Sequence, residues 1–309
     1  MKSLLRKLVC VFLLIINLFN IRVLARTEEN YEEMYNIKSK RDLLVLMLAY
    51  PNNVKGLEKD KNGLIYLIMN SGKKILYDDK KQKCYDEKLE NPDLQDMLEE
   101  PYPLEDISEV LNGNRDPGRI RVYSLLDEVY GHAESEIRKD LKTISTSYGN
   151  MMFNGNNNAA DSLKKSLDTI ATISKQNQQI GGFVYPTRGT YNYRYIQGTG
   201  RLSAHSYGIA IDLNRSDSDY WKWVDKEKGS KRIAIYPKEI VRTFEENGFV
   251  WGGKWAHFDI LHFEYRPEFI LKAKYFGHSL EDSRTPWYEG IPTDDATEKI
   301  IEKINSVVD

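Results

Sequence analysis

The 309-residue sequence predicts a fold that mixes α-helices with short β-strands. Apolar side chains recur at helical spacing within residues 157–176, and an apolar run within residues 30–50 ends at Pro51. From residue 180 onward the pattern changes to short apolar runs separated by glycine turns, which is typical of strands. Apolar residues make up 41% of the chain, which is enough to build a core.

The first 25 residues have the pattern of a secretory signal peptide. Three basic residues precede an apolar run over residues 8–19, and residues 23–25 offer small side chains at a cleavage position. An uncleaved anchor is the alternative, although a spanning helix needs about 20 apolar residues. We therefore expect export, cleavage after Ala25 and no stable membrane insertion afterwards.

Charge and cysteine content narrow the possible partners. The net charge is −2, and removing residues 1–25 would take away four bases and no acids. A basic stripe, the usual mark of nucleic-acid binding, is absent from the sequence, so no nucleic-acid partner is expected. Cys10 lies within the predicted signal peptide, which leaves Cys84 alone and excludes an internal disulfide in the mature chain.

Residues 26–100 are predicted to form an accessory region of mixed helix and hairpin. The helix over residues 30–50 is followed by two strand-like runs, 64–69 and 73–77, around a glycine-containing turn. Residues 86–106 are acidic and contain three prolines, so they are predicted to be a linker or surface loop.

Residues 101–280 are predicted to form the main domain, with residues 281–309 as a polar tail that ends in a short helix. Helices are expected over residues 134–145, 157–176 and 237–247, the last of which begins at a proline and is stopped by a glycine. The core of the site is expected within residues 180–275.

Two histidines and two aspartates in this core indicate a metal site. His205, Asp212 and His262 make a three-ligand set that leaves one open position on a tetrahedral zinc ion, as a catalytic zinc requires. Asp259 lies three residues before His262, close enough to act on a water at that position. On a regular strand these two side chains would face opposite ways, so a turn or bulge near Asp259 is required.

These residues resemble the M15 family of zinc D-Ala-D-Ala peptidases, which act on bacterial cell walls. The family pattern Ser-x-His-x-x-Gly-x-Ala-x-Asp is filled by Ser203, His205, Gly208, Ala210 and Asp212, and its later carboxylate and histidine by Asp259 and His262. The stretches 248–255 and 262–264 look like the branch that includes L-alanyl-D-glutamate endopeptidases. The resemblance covers residues 180–275, and the thermolysin-type His-Glu-x-x-His motif is absent.

The resemblance implies an α+β domain in which a small antiparallel sheet holds one zinc ion, with helices packed on its other face. Residues 134–176 are expected to supply some of those helices. It implies His205, Asp212 and His262 as ligands and Asp259 as the general base. Arg194 is expected near the scissile carbonyl, although Arg188 and Arg201 compete for that role. Substrate contacts are expected from Ser203, Tyr207 and Trp255.

The implied substrate is the peptide stem of peptidoglycan, with L-Ala–D-Glu endopeptidase activity expected. Two alternatives stay open at this point: a D-alanyl-D-alanine carboxypeptidase, and a non-catalytic zinc-binding or wall-binding module. His132, His257 and His278 are interpreted as ordinary surface or core residues. The oligomeric state is not indicated by the sequence.

Overall fold

The computed structural model describes residues 31–277 and 285–309. The predicted signal peptide and His278 lie outside these residues. Within the part of the chain that is described, no helix is both long and apolar enough to cross a membrane.

Helices and strands are both abundant, which confirms the predicted α+β class. The helices are α1 (31–49), α2 (Tyr85–Glu90), α3 (Leu94–Leu98), α4 (Tyr123–Tyr130), α5 (Glu134–Asp140), α6 (Ala159–Gln176), α7 (Gln178–Val184), α8 (Lys226–Ile235), α9 (Lys238–Glu245), α10 (Pro267–Phe276) and α11 (Asp295–Val308). The strands are β1 (Val54–Lys59), β2 (Ile65–Met69), β3 (Lys74–Leu76), β4 (Leu141–Thr146), β5 (Gly149–Asn154), β6 (Ala210–Asp212), β7 (Phe249–Trp251) and β8 (His262–Tyr265).

The strands form three small antiparallel sheets. The first has the order β1-β2-β3 and contains the predicted hairpin, with Tyr66 paired to Leu76. The second is the β4–β5 hairpin, and the third has the order β6-β8-β7, so that β8 lies in the centre. We call this third sheet the site sheet, because it carries two of the expected metal ligands.

Aromatic packing fixes the site sheet against helix α9. The ring of Phe244 on α9 stacks on Phe263 of β8 at 4.2 Å and meets Phe249 of β7 edge-on at 5.1 Å. Helix α6 buries Leu163 and Leu167 and packs against α9 and the β4–β5 hairpin. The helix that lies directly on the site sheet is thus α9, and α6 supports it from behind.

Two local predictions were wrong. Residues 86–106 are not merely a linker, because they include most of α2 and the whole of α3. Helix α3 buries Leu94 and Leu98 in the core. The helix predicted over residues 134–145 ends at Asp140, and β4 begins at the next residue. The β-branched residues of β4, Thr143 and Ile144 among them, fit a pleated strand better than a helix.

Both ends of the described chain pack on the rest of the molecule. Helix α11 buries Ile301 and Ile304 and lies against β1, where the Lys59 Nζ donates to the Val308 carbonyl at 3.1 Å. The Tyr50 hydroxyl, just after α1, donates to Glu268 on α10 at 2.7 Å. The division at residues 100 and 280 stays a prediction.

Candidate active site

Three elements bring the expected ligands together. His205 lies on a single 3-10 turn, Ala204–Tyr207, while Asp212 ends β6 and His262 begins β8. The antiparallel register of β6 and β8 pairs Asp212 directly with His262. Residues that are 50 apart in sequence therefore become neighbours across two strands, and the 3-10 turn adds His205 beside them.

Local capping explains the sequence around His205. The Ser203 side chain accepts a hydrogen bond from the His205 backbone N–H and caps the 3-10 turn. Gly208 ends it with a φ of 68°, and a Cβ there would lie 2.7 Å from Leu141 Cδ2. A small residue is needed at 208 because of this left-handed turn against the β4–β5 hairpin, rather than to admit a metal ion.

The three side chains, which we call the histidine group, present their ligand atoms to one point. His205 Nε2 and His262 Nδ1 lie 3.2 Å and 2.9 Å from Asp212 Oδ1. The opposite nitrogen of each ring is held by an acceptor: His205 Nδ1–H donates to the Thr190 carbonyl at 2.6 Å, and His262 Nε2–H to Glu264 at 3.3 Å. With these outer hydrogen bonds in place, each inner nitrogen can offer its lone pair to a metal ion once it has lost its own proton.

The electrostatics of the histidine group favour a bound cation. Burial alone would lower the pKa of His262, but the facing carboxylates of Asp212 and Glu264 raise it to about 10. Burial would raise the pKa of Asp212, yet the two histidines hold it well below its usual range. A divalent cation would supply the positive charge that this group attracts, and two imidazoles with one carboxylate are a donor set that suits zinc. The histidine group therefore fits the implied metal.

Asp259 is placed by a tight turn. The His262 N–H donates to the Asp259 carbonyl at 3.1 Å, so residues 259–262 turn before β8 begins, which confirms the break predicted from the strand alternation. Gly252 passes so close that a Cβ there would lie 2.4 Å from the Asp259 carbonyl oxygen. Burial raises the pKa of Asp259 to about 6; nearby Asp212 adds to this rise, while His262 opposes it.

The histidine group and Asp259 lie in a cleft of about 620 Å³. Ser203 and Trp255 line it as well, with the Trp255 ring 5.8 Å from that of His262. Tyr207 is not brought into the cleft: it is fully buried, and its hydroxyl donates to Asp127 at 2.7 Å. Its predicted role in substrate binding is untested.

The three arginines that were candidates for the position near the scissile carbonyl do not all lie in the cleft. Arg188 and Arg194 both line the cleft and are exposed. Within the described residues, neither guanidinium has a hydrogen-bond or ion-pair partner. Arg201 does not line the cleft, and its Nη1 donates to the Leu89 carbonyl at 2.5 Å. The choice for the scissile carbonyl thus narrows to Arg188 and Arg194.

The cleft wall contains a histidine that the sequence analysis treated as ordinary. His257 lines the cleft, and its backbone N–H and Nδ1–H donate to the buried Asp116 carboxylate at 2.9 Å and 2.7 Å. Trp221 meets the ring edge-on at 4.6 Å. Asp116 and His257 lie 141 residues apart, and no sequence pattern links them.

A buried chain of charges supports His262 from behind. Glu264 is fully buried and accepts from Arg121 Nε at 2.7 Å and from Arg266 Nη1 at 3.4 Å. Arg266 Nε in turn donates to Glu268 at 2.7 Å. Burial would raise the pKa of Glu264, but Arg121, assisted by His262 and Arg266, holds it well below its usual range. Glu264 is therefore a charged acceptor that orients the His262 ring.

Comparison with known proteins gives one match. Residues 197–265 match an M15 peptidase family model described as D-alanyl-D-alanine carboxypeptidase. Neither the search of curated proteins nor that of solved structures found a match. The matched segment contains the whole histidine group and Asp259, while Arg188 and Arg194 precede it. Over this segment the chain is similar to M15 peptidases.

Proposed function

We propose that the protein is an exported zinc metallopeptidase that hydrolyses the L-Ala–D-Glu bond in the peptide stem of bacterial peptidoglycan. The observation that carries the proposal is the convergence of His205, Asp212 and His262 beside Asp259, within the segment that matches a peptidase family. Export is supported by the pattern of residues 1–25 alone.

The proposed mechanism gives tasks to the histidine group, Asp259 and Arg194. Zinc held by the histidine group would supply Lewis-acid chemistry, polarising the scissile carbonyl and acidifying water. Asp259, with a pKa of about 6, is ionised at neutral pH and can accept a proton from the attacking water. It can then return that proton to the departing amine. Arg194, the arginine that the family resemblance places here, lines the cleft without a side-chain partner among the described residues and can donate to the carbonyl oxygen as negative charge develops there.

The choice of bond rests on sequence resemblance. The aspartate at position 259 and the stretch Trp-Gly-Gly-Lys-Trp at 251–255 look like the endopeptidase branch. The description of the matching family model, a carboxypeptidase, favours release of a terminal D-Ala instead, so this remains the second candidate. A non-catalytic module is disfavoured, because such a protein is expected to have lost a ligand or the base, and here all are present.

Digestion of purified peptidoglycan separates these functions. The zinc-loaded protein is incubated with peptidoglycan in the presence and absence of a chelator, and the products are identified by mass. New amino-terminal D-Glu supports the proposal, whereas free D-Ala with an intact L-Ala–D-Glu bond supports the carboxypeptidase. If neither appears with zinc-loaded protein, the protein is not a peptidase of this substrate. Amino-terminal sequencing of protein from the culture medium or cell envelope tests cleavage after Ala25.

A further inference from the structure

The cleft carries more positive charge than the proposed chemistry uses. Five arginines line it, against three aspartates, of which one belongs to the histidine group. Two of the five are already neutralised by buried carboxylates: Arg119 Nη1 lies 3.1 Å from Asp116, and Arg121 pairs with Glu264. With Arg194 assigned to the scissile carbonyl, Arg188 and Arg215 are left without a task.

These two arginines flank a ligand of the histidine group. The backbone N–H of Arg188 donates to the Asp212 carbonyl at 2.8 Å, and the next residue, Gly189, forms a β-bridge with Asp212. Arg215 follows Asp212 by three residues. Both residues therefore lie close to Asp212 along the backbone, and both line the cleft.

Neither side chain is held by a strong internal contact. Arg188 has no side-chain partner in residues 31–277 and 285–309. Arg215 lies over the Trp223 ring at 4.2 Å and 3.5 Å from Asp217, whose side chain is 99% exposed. An ion pair this exposed is weak, so a ligand can compete for Arg215. Stacking on Trp223 restricts the guanidinium while leaving its N–H groups available.

We propose that Arg188 and Arg215 form a subsite for a carboxylate, and that the substrate carries this free carboxylate close to the scissile amide. The proposal rests on the proposed function. Guanidinium groups bind carboxylates through paired, charge-assisted hydrogen bonds, and two of them lining one cleft select an anion over a neutral amide. In a stem peptide that carboxylate is either the α-carboxylate of γ-linked D-Glu or the carboxyl terminus.

Four synthetic stem peptides distinguish the two sources. Each carries either an acid or an amide at the D-Glu α-position and at the carboxyl terminus. We expect amidation of the recognised carboxylate to lower kcat/KM by about tenfold or more, since a charge-assisted hydrogen bond is lost. Amidation of the other carboxylate should change it by less than about threefold, which is within the range of an exposed charge.

Variants assign the effect to the arginines. Arg188→Gln and Arg215→Gln should each reduce the preference for the acid over the amide. The matched control is Arg138→Gln, which removes an exposed arginine of α5 that pairs with Glu134 outside the cleft. It should keep the full preference. Full preference in both cleft variants would overturn the assignment, as would a loss of preference in the control.

A binding measurement makes the test independent of turnover. Zinc-loaded Asp259→Asn is titrated with the same four peptides by calorimetry. Tighter binding of the acid than of the amide, lost when Arg188→Gln or Arg215→Gln is added to Asp259→Asn, supports the subsite. This result supports the subsite even if the wild type cleaves no peptide, in which case only the proposed function fails. Equal binding of acid and amide, or no binding of any peptide, overturns the subsite.

Discussion

Two groups of side chains among the described residues converge as metal ligands do, and only one of them lacks a lysine between its carboxylates. In each group, three ligand atoms lie within 4.8 Å of one another. The histidine group lies in the cleft, and the second, which we call the acidic group, consists of Asp78, Asp79 and Asp93. They differ in what already balances their charge.

The acidic group contains its own cation. Lys83 Nζ lies 3.2 Å from Asp79 and 3.0 Å from Asp93, and it also pairs with Asp96 at 2.6 Å. Its side chain is only 8% exposed. Among the described residues no lysine or arginine pairs with the histidine group; its own two histidines balance Asp212, and acceptors on the outer nitrogens turn the rings inward. Convergence of ligand atoms thus indicates a metal site only when no internal cation occupies the same place.

The largest expected effect separates the groups by metal content. His205→Ala should remove nearly all bound zinc and all peptidase activity, because two ligands rarely hold a catalytic zinc. Asp93→Asn, the matched change in the acidic group, should leave one zinc per chain. Emission spectrometry of the purified proteins measures both. Full zinc occupancy in His205→Ala would show that the histidine group does not hold the zinc. Loss of zinc in Asp93→Asn would place the zinc in the acidic group instead.

The next effect concerns chemistry within the cleft. Asp259→Asn should keep zinc and lose activity by ~10²–10⁴-fold, because an amide cannot accept the proton. In the wild type, only the ionised carboxylate is active, so kcat/KM should fall as the pH drops through the pKa of Asp259. That pKa is raised to about 6 by burial, and a bound zinc ion would move it lower. A loss below about tenfold, measured on a stem peptide, would show that another group is the base.

Removing the internal cation should destabilise the acidic group. Lys83→Met leaves buried carboxylates unpaired and should lower the free energy of unfolding by about 3 kcal/mol. Added Ca²⁺ should restore part of this loss in the variant while leaving the wild type unchanged. Lys81→Met, at a lysine whose side chain is 74% exposed, should cost less than about 1 kcal/mol. Urea unfolding with and without Ca²⁺ measures the stability of the wild type and both variants. A Lys83→Met variant as stable as the wild type would contradict the role of Lys83.

The smallest effect tests the support of the histidine group. Glu264→Gln should weaken zinc affinity by about 10–100-fold, because it removes the charged acceptor of His262. Glu268→Gln alters the same buried chain of charges without touching His262, and its affinity should match the wild type. Competition with a chromogenic chelator, on protein shown to be folded by circular dichroism, gives the values. Equal zinc affinity in the wild type and both variants would exclude a role for Glu264 in orienting His262.

The convergence of the histidine group could be predicted from the sequence because most of its pattern is short and local. His205 and Asp212 lie within one strand and turn, and strand alternation alone required the break at Asp259. The partners behind them could not be predicted in the same way. Arg121 meets Glu264, and Asp116 meets His257, across more than 140 residues, and no periodic pattern encodes such contacts.

The errors in secondary structure have a similar origin. Residues 86–106 are rich in acids and prolines, which favour loops when considered alone. Within the fold, Asp93 caps α3, and Lys83 neutralises the buried carboxylates that a short helix presents. The β4–β5 hairpin was missed because β4 follows α5 without any glycine or proline to mark the change.

The buried chain of charges behind His262 also determines how this protein can be divided. Glu268 accepts hydrogen bonds from Arg266 and from the Tyr50 hydroxyl. On the same helix, Lys272 pairs with Asp42 of α1 at 2.5 Å. A shortened chain that keeps the family-matched segment but lacks residues 31–50 would leave an ammonium group without its carboxylate inside the protein. A chain cut at residues 197 and 265 would in addition lose Arg121 and Arg266, the partners of Glu264, so an engineered version must extend beyond the sequence match and carry α1 with it.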